Sequence, residues 1–343
     1  MTLGDRPRPT MKDVAALAGV SLKTVSRVVN GEGAVAVDLA DRVRRAADQL
    51  EFKPNRAASA LRRRDGKTRT IGLLLEDVSN PFSATVLRAI EDVARTRGVL
   101  VLAGSLDEEV ETERALALTL VERRVDGLII VPTGADQSYL QIERRSGMQM
   151  VFVDRAPRFL DADAVLSDNR DGARSGCEHL VRGGHRRIAF LGDLRSITTA
   201  EDRYQGYLDA LRAHGIPTDE RIIVHDLRSI DAAQLATKRL FDLEAPPTAI
   251  FAGQNLVTMG TIRGLRELEL QQRVALVGFD DFLLADLLEP PVTVVAQDPR
   301  QIGRVAAELL FARMDGNTDT SRSVIVSTNL IVRGSGEIPP AVH

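Results

Sequence analysis

Apolar residues recur with helical spacing in three short segments near the start of the chain, at residues 10–18, 21–30 and 38–50. Thr10, with Asp13 three residues later, predicts a capping box at the first helix, with Asp in place of the usual Glu. A three-residue turn that contains glycine joins the first two helices, and a third helix follows. This arrangement is typical of a helix-turn-helix, although any small helical bundle would share the pattern.

The second of these helices carries polar side chains on the face opposite its apolar stripe. Such groups can donate hydrogen bonds to phosphates and base edges, and this face presents Ser21, Lys23, Thr24, Ser26 and Arg27. Residues 1–70 hold 15 Lys and Arg against 8 Asp and Glu, whereas the rest of the chain holds 30 against 40. A basic module on an acidic body is expected where a small domain meets a polyanion, but charge alone leaves a solubilising patch equally open.

The pattern changes at Thr70, where short apolar runs begin to alternate with amphipathic helices of ten residues or more. The predicted strands are 71–75, 99–102, 127–131, 150–153, 187–191, 222–224, 249–251 and 274–277, and the predicted helices are 82–97, 109–123, 171–182, 202–214, 232–243 and 257–268. This alternation indicates parallel, doubly wound sheets in two successive series. The predicted fold class is therefore an all-α helix-turn-helix headpiece plus an α/β core of two Rossmann-like lobes. A last helix at 301–314 and a last strand at 324–332 are expected to carry the chain back between the two lobes.

Composition mainly excludes classes of protein. A chain of 343 residues is long enough for one small and one larger domain. The single cysteine, Cys177, cannot form an internal disulfide and is expected to be buried on a helix. His179 and His185 flank two glycines near a predicted helix end, which favours a capping role over catalysis. The side chains of Asp280 and Asp281 are expected to diverge, so no metal site and no cofactor are predicted.

Several motifs, taken in order, resemble the LacI/GalR family of bacterial repressors. The matching segments are Thr10–Ser21 (TMKDVAALAGVS), Lys23–Gly31 (KTVSRVVNG), Lys53–Leu61 (KPNRAASAL), Ile71–Leu73, Asn80–Phe82, Arg124–Ile129 (RVDGLI) and Gly278–Asp281 (GFDD). The resemblance covers almost the whole chain in the family's order. It implies a core similar to periplasmic sugar-binding proteins and a homodimer with two headpieces on a pseudo-palindromic, double-stranded operator.

The resemblance also implies which residues contact DNA. In the major groove, the positions that match base readers are Leu22, Lys23 and Arg27, and a guanidinium can reach guanine O6 and N7 with two donors. The positions that look like phosphate contacts are Ser21, Thr24, Ser26 and Asn30. The hinge helix of the family orders on the operator and enters the minor groove, and its contact positions match Asn55, Arg56, Ala57, Ala58 and Leu61. Leu61 aligns with a leucine that wedges between central base pairs, although it could simply cover the linker.

A ligand cleft between the lobes is implied as well, at the carboxyl ends of the parallel strands. The positions that match the family's cleft residues are Phe82, Asp154, Arg203, Leu227, Gln254, Asp280 and Gln297. Carboxylates, one arginine and two amides suit a polyhydroxylated effector such as a sugar or polyol. Each of these residues could instead be an ordinary strand-end turn residue.

Some positions depart from the family pattern. Gln254-Asn255 stands where Asn-Asp is common, so one acidic acceptor is lost and the ligand is expected to differ from the usual hexoses. Glu51 occupies a position where glycine often ends the third helix. Ala36 replaces a usual serine cap, which leaves Asp38 as the expected substitute.

The resemblance divides the chain into three parts. They are a DNA-binding domain at 1–53, a hinge helix and linker at 54–69, and an effector-binding and dimerisation core at 70–343. Within the core, the N-terminal lobe is expected at about 70–167 and 298–326, and the C-terminal lobe at about 168–297 and 327–338. A dimer is expected rather than a tetramer because no heptad tail follows Gly336.

Other functional classes are less consistent with these features. A sugar-binding transport protein would need an export signal and no basic headpiece. The absence of such a signal and of a membrane-length apolar run favours a cytoplasmic protein acting at the bacterial nucleoid. The other alternative is an enzyme of the doubly wound class, but the sequence contains neither a phosphate-binding glycine loop nor a nucleophile elbow. The chain is therefore predicted to be a repressor and not an enzyme. Activation or dual regulation stays open, as does whether the effector is an inducer or a corepressor.

Overall fold

The computed structural model of the chain describes residues 9–30, 35–53, 67–133 and 136–340. The chain divides into two units, residues 1–68 and residues 69–343. The first unit contains three helices, which are α1 (Met11–Ala18), α2 (Leu22–Asn30) and α3 (Val37–Gln49). Val14, Val25 and Val43, one from each helix, are fully buried at its centre. The predicted three-helix pattern is therefore present.

Local hydrogen bonds fix the ends of α1 and α2. The Asp13 carboxylate accepts from both the backbone N–H and the hydroxyl of Thr10, each at 2.7 Å, which confirms the predicted capping box. Gly19 ends α1 in the left-handed conformation, with φ of 62°, where an L side chain would be strained. The Ser21 hydroxyl accepts from the backbone N–H of Thr24 at 3.1 Å and so caps α2.

The start of α3 differs from the prediction. Ala36 occupies the N-cap position without a side-chain hydrogen bond, and Asp38 lies inside the first turn. The expectation that Asp38 replaces the missing cap is therefore wrong, because the helix begins one residue earlier. The negative charge of Asp38 still lies near the positive end of the helix dipole. Beyond α3, Glu51 has φ of 49°, so the position where glycine is common does adopt the left-handed conformation.

The second unit contains two six-stranded sheets. The strands of sheet 1 are β1 (Thr70–Leu75), β2 (Leu100–Ser105), β3 (Gly127–Ile130), β4 (Gln149–Asp154), β5 (Asp163–Ser167) and β11 (Ser323–Val326). Those of sheet 2 are β6 (Ile188–Leu191), β7 (Ile223–Val224), β8 (Ala249–Ala252), β9 (Ala275–Phe279), β10 (Thr293–Ala296) and β12 (Asn329–Ile331). The orders are β11-β5-β4-β3-β1-β2 and β12-β10-β9-β8-β6-β7. Among the described residues, all strand pairings are parallel except that of β10 with β12.

Helices cover both faces of each sheet. Their bounds are α4 (Pro81–Thr96), α5 (Val110–Glu122), α6 (Gln141–Arg145), α7 (Asn169–Arg182), α8 (Thr198–Ala213), α9 (Ile230–Leu240), α10 (Asn255–Glu267) and α11 (Pro299–Met314). The core strands are apolar at nearly every position because both of their faces are buried. The two predicted Rossmann-like lobes are confirmed as two parallel-rich α/β halves of this unit.

Three strand predictions need correction. β5 and β10 were not predicted, and the single strand expected at 324–332 is wrong. This segment forms β11 in sheet 1 and then β12 in sheet 2. Between them the backbone N–H of Thr328 donates to the Asp168 carboxylate at 2.7 Å, which helps hold the chain where it passes from one sheet to the other.

Cys177 and His185 have side chains that can be chemically reactive, but both residues occupy buried structural positions. Cys177 is buried on α7 as expected, and burial raises the pKa of its thiol. The His185 ring is also buried and lies between the Thr248 hydroxyl and the Ile338 carbonyl, each at 2.9 Å. None of the helices in the described ranges combines the length and the apolar character needed to cross a lipid bilayer.

Candidate functional site

A polar cleft lies where the carboxyl ends of the two sheets meet. Sheet 1 contributes Glu76 after β1 and Asp154 at the end of β4, and sheet 2 contributes Asp193 after β6, Asp280 after β9 and Gln297 after β10. The free volume of the cleft is about 50 Å³ in this arrangement of the lobes. Its position is the one at which open α/β sheets bind ligands.

Arg203 on α8 is held rigidly in the wall of the cleft and is 7% exposed. Its Nε donates to the Asn169 side-chain oxygen at 2.7 Å, and its Nη1 donates to the Gly253 carbonyl at 2.9 Å. Its guanidinium also lies 3.9 Å from the centre of the Phe279 ring and 3.6 Å from the Asp280 carboxylate. These contacts fix the planar fork before any ligand arrives, so little side-chain entropy remains to be lost on binding.

Two aspartates occupy corresponding strand ends of the two lobes. Asp154 follows the third strand of sheet 1 in spatial order, and Asp280 follows the third strand of sheet 2. Both have left-handed backbones, with φ of 68° and 69°. The Asp280 carboxylate accepts from the Gln297 side-chain N–H at 2.7 Å, and the Gln297 oxygen in turn accepts from the Ser167 hydroxyl.

The Asp154 carboxylate has a different environment. It accepts no hydrogen bond from the described residues, and its nearest cationic atom is the Arg155 Nε at 3.5 Å. Arg155 is engaged elsewhere, because its two terminal nitrogens contact the two Glu108 oxygens at 2.6 and 2.8 Å. Burial raises the pKa of Asp154, although Arg155 and Arg203 oppose that shift.

Direct contacts connect the two lobes beside the cleft. The Asn255 side-chain N–H donates to the Asn80 side-chain oxygen at 2.9 Å, and Asn255 is 1% exposed. The same Asn80 oxygen accepts from the Phe82 backbone N–H and so caps α4. A second bridge runs from the Arg228 guanidinium to the Asp107 carbonyl at 3.0 Å. The resemblance to the family leads us to expect an aspartate at position 255. An ionised aspartate has no N–H group to donate, so this hydrogen bond to the opposite lobe depends on the asparagine.

Six of the seven predicted cleft residues line the cleft, namely Phe82, Asp154, Arg203, Gln254, Asp280 and Gln297. Gln254 also donates to the Asp193 carboxylate at 3.0 Å. The prediction of Leu227 as a cleft residue is wrong, because Leu227 is not among the residues that line the cleft. It follows the edge strand β7, its backbone N–H donates to the Gly192 carbonyl at 3.0 Å, and its side chain joins the apolar core of sheet 2.

Several cleft residues were not predicted, and they are Glu76, Asn80, Arg155, Asp193 and Asn255. Glu76 and Arg155 come directly after strands and Asp193 comes two residues after β6, so the rule that ligands bind at the carboxyl ends of parallel strands could have found them. Asn80 and Asn255 lie at helix starts, where a side-chain oxygen is ordinarily explained by capping.

The helix α2 in the first unit presents the predicted DNA-reading residues. Leu22 is 44% exposed, and Lys23 and Arg27 are also exposed. Thr24 and Ser26 are half-buried, and Ser21 is exposed while its hydroxyl caps the helix. Asn30 is the last residue of α2. The predicted hinge contacts lie outside the described residues, and they are Asn55, Arg56, Ala57, Ala58 and Leu61.

The sequence matches two family models, one within the first unit and one over the C-terminal part of the second unit. Residues 10–55 match the bacterial regulatory proteins of the lacI family, and residues 177–336 match a periplasmic binding protein-like domain. The chain is 33% identical over 326 residues to the ribose operon repressor of Halalkalibacterium halodurans, which covers 94% of this chain and 96% of the relative. The chain belongs to the LacI family. Its relatives are transcriptional repressors and not enzymes, so this LacI-family protein is a transcriptional repressor with an effector-binding domain.

Solved structures of LacI-family proteins agree in fold. The lac repressor dimer bound to operator and the anti-inducer ONPF superposes with a TM-score of 0.84 at 26% identity, covering 96% of this chain and 99% of that one. A complex of the transcriptional regulator CelR with cellobiose gives a TM-score of 0.71 at 31% identity, covering 96% and 100%. The similarity therefore extends over both units of this LacI-family chain.

Proposed function

We propose that the chain represses transcription as a homodimer that places two α2 helices in the major grooves of a pseudo-palindromic operator. Leu22, Lys23 and Arg27 would read base edges, and Ser21, Thr24, Ser26 and Asn30 would contact phosphates. The exposed polar face of α2 supports this assignment. So does the similarity to the lac repressor, which was solved as a dimer on its operator.

The effector in this proposal is a small polyhydroxylated molecule that binds in the cleft. The observation that carries the proposal is the cleft itself, which presents acceptors on Asp154 and Asp280, the fixed fork of Arg203, and the amides of Gln254 and Gln297. Paired donors and acceptors of this kind recognise hydroxyl groups, because each hydroxyl can donate one hydrogen bond and accept others. The structure of CelR with cellobiose supports a sugar-like effector.

Control in this proposal comes from the relative arrangement of the lobes. A ligand between them would compete with or reinforce the Asn80–Asn255 and Arg228–Asp107 bridges. We propose that the segment 54–69 couples that arrangement to the headpiece, with Asn55, Arg56, Ala57, Ala58 and Leu61 entering the minor groove. Effector and operator would then influence each other by differential affinity for two lobe arrangements.

The experiment that tests this function has two stages. Purified protein is first used to select operator DNA from a random library, and thermal shift then identifies cleft ligands, because a bound ligand raises the melting temperature. We expect Arg27→Ala to weaken operator binding by about 1–3 kcal/mol and to leave ligand affinity unchanged. Arg145→Ala, on the surface of the second unit, is the matched control. Normal operator affinity in the Arg27 variant would refute the assignment of α2 as the reading helix.

A further inference from the structure

The chain crosses between the two lobes on one side of the cleft. The crossings follow β5, β10 and β11, and these strands lie at or next to one edge of their sheets. The opposite edges are formed by β2 in sheet 1 and by β7 in sheet 2. We call this second side the mouth of the cleft. Because covalent connections hold the first side, a hinge motion of the lobes would separate them most at the mouth.

Two hydrogen-bonded bridges lie toward the mouth, and together we call them the clasp. Arg228 follows β7 and donates to the carbonyl of Asp107, which follows β2, at 3.0 Å. Asn80 follows β1, the neighbour of β2, and Asn255 follows β8. The Asn255 side-chain N–H donates to the Asn80 oxygen at 2.9 Å, and the Asn80 side-chain nitrogen lies 3.5 Å from the Asn255 oxygen. The clasp therefore joins the lobes away from the chain crossings.

The amide bridge of the clasp is oriented and shielded from water. The Asn80 oxygen also accepts from the Phe82 backbone N–H at 3.0 Å, which fixes its direction at the start of α4. Asn255 is buried and Asn80 is half-buried. Because water competes less for a shielded hydrogen bond, this bridge stabilises the contact of the lobes more than an exposed bridge would.

The clasped arrangement leaves little room in the cleft. Its free volume is about 50 Å³, whereas pockets that hold small molecules typically measure about 300–1,000 Å³. A water molecule takes up about 30 Å³ in the liquid, so a sugar ring with its hydroxyl groups does not fit between lobes held in this way. An effector of the proposed class therefore needs the lobes to move apart.

We propose that Asn255 and Arg228 set the effector affinity of this protein by holding the cleft shut, so that the effector binds by parting the lobes at the mouth. This inference rests on the proposed function, because it concerns the regulation of the same cleft. It states that the effector competes with the clasp and does not reinforce it. An effector that closed the lobes around itself would instead be helped by the same bridges.

The two variants of the clasp remove a bridge with little other change. Arg228→Ala removes an exposed side chain that is not among the residues lining the cleft, so no ligand contact is lost with it. Asn255→Ala leaves the Asn80 oxygen with its donor from the Phe82 backbone, so this acceptor keeps a partner. Arg212→Ala is the matched control, because Arg212 is an exposed arginine that pairs with Asp209 of its own helix.

The first measurement follows the separation of the lobes in the full-length protein. Ala115→Cys on α5 and Leu235→Cys on α9 place spin labels at exposed positions of the helices that follow β2 and β7. Cys177 is buried and is not expected to react with the label. Labelled protein is mixed with an excess of unlabelled protein, so that most labelled dimers carry one labelled subunit. We expect a longer distance between the labels in each clasp variant, the longest in the double variant, and no change in the control.

The second measurement is the calorimetric affinity for D-ribose, D-glucose, D-galactose and cellobiose. A sugar that binds should bind about threefold more tightly to Arg228→Ala than to the parent protein, and about tenfold more tightly to the double variant, because each lost bridge raises the fraction of the parted arrangement. The same sugar should lengthen the distance between the labels in the parent protein. The double variant without sugar should shift operator affinity in the same direction as the sugar shifts it in the parent protein.

Three results would overturn the inference. In the first, the clasp variants keep the label distance of the parent protein. In the second, a sugar shortens that distance or binds no more tightly to Arg228→Ala, which leaves the proposed function standing with an effector that closes the cleft. In the third, no sugar of the panel binds to the parent protein or to the variants, and the proposed class of effector then fails as well. Selection of operator DNA needs no effector and tests the repressor function separately.

Discussion

The two halves of the cleft share a fold but differ in how their polar groups are satisfied. In the C-terminal lobe, Arg203, Asp280 and Gln297 are joined by direct contacts to each other or to neighbouring protein groups. In the N-terminal lobe, Asp154 occupies the corresponding strand end with the same backbone conformation, but its contact is a single ion pair with the Arg155 Nε at 3.5 Å. The same strand position is thus part of a hydrogen-bonded network in one lobe and of one ion pair in the other.

This difference has a physical consequence for control. A carboxylate that already accepts hydrogen bonds within the protein gains less from a ligand than one that can still accept them. Asp154, which accepts no hydrogen bond from the described residues, is therefore expected to gain more from a ligand hydroxyl than Asp280, which accepts from Gln297. A ligand that binds both halves would also fix the distance between the two lobes. We expect the hinge to respond to that distance.

The largest expected effect follows from removing the Arg203 side chain, which is held rigidly in the wall of the cleft. Arg203→Ala should abolish the effector-induced change in operator affinity, and it should lower the free energy of unfolding by about 3–5 kcal/mol because Asp280 and the Gly253 carbonyl lose a buried partner. Operator titrations with and without effector measure the first effect, and urea unfolding measures the second. Arg212→Ala, exposed near the end of the same helix, is the control. A normal effector response in Arg203→Ala would contradict the cleft assignment.

A substitution of Leu227 tests whether this residue belongs to the core of the C-terminal lobe and not to the cleft. Because this side chain packs in the core of sheet 2, Leu227→Ala should lower the free energy of unfolding by about 2–4 kcal/mol. Effector affinity, measured well below the melting temperature, should stay within twofold of the parent protein. A loss of effector affinity with an unchanged free energy of unfolding would show that Leu227 does contribute to the cleft.

Glu76 in the N-terminal half is expected to give the protein an unusual dependence on pH. The pKa of Glu76 is raised to about 7 in the folded protein, so the folded state holds a proton that the unfolded state releases at a lower pH. The free energy of unfolding should therefore fall by up to about 3 kcal/mol as pH rises from about 4.5 to about 7, and then level off.

Unfolding of the parent protein and of Glu76→Gln at pH 5 and pH 7.5 measures this term. The difference between the two pH dependences gives the contribution of Glu76 alone. Acids such as Asp219 are present in both proteins, and the lowered pKa of Asp219 means that it titrates at more acidic pH. An identical pH dependence in the two proteins would show that Glu76 is not the titrating group.

The two corresponding aspartates provide the finest comparison. Asp154→Asn removes a charge that lacks a donor, and it should raise the free energy of unfolding of the ligand-free protein by about 1 kcal/mol at pH 7. Asp280→Asn removes a charge that faces Arg203, and it should lower the free energy of unfolding by about 2 kcal/mol. Changes of the same sign in the two variants would refute the proposed difference between the halves.

Much of the fold could be predicted from the sequence because both faces of most strands are buried. Continuous apolar runs such as the one around β1 therefore identify strands without any tertiary information. β5 and β10 each follow the preceding strand without a helix between them, so the alternation of strands and helices does not predict them. β5 lies between β4 and β11, and the pairing of β5 with β11 joins Asp163–Ser167 to Ser323–Val326. The break after β11 depends in part on Asp168, a residue far away in the sequence.

The cleft could be predicted only in part, for a related reason. Resemblance to a family identifies positions that its members share, such as Arg203 and Asp280. It does not identify Glu76 or Asp193, which the fold of this chain places in the cleft lining. Leu227 was wrongly included because the sequence does not show that its strand lies at the edge of sheet 2.

The most direct test of the central claim is the operator dissociation constant of the full-length protein, measured with and without a saturating cleft ligand. We predict a change of at least about fivefold, since allosteric coupling energies are typically 1–3 kcal/mol, and we predict that Arg203→Ala abolishes it. An unchanged operator dissociation constant, while thermal shift shows the ligand bound, would contradict control of this repressor through the cleft.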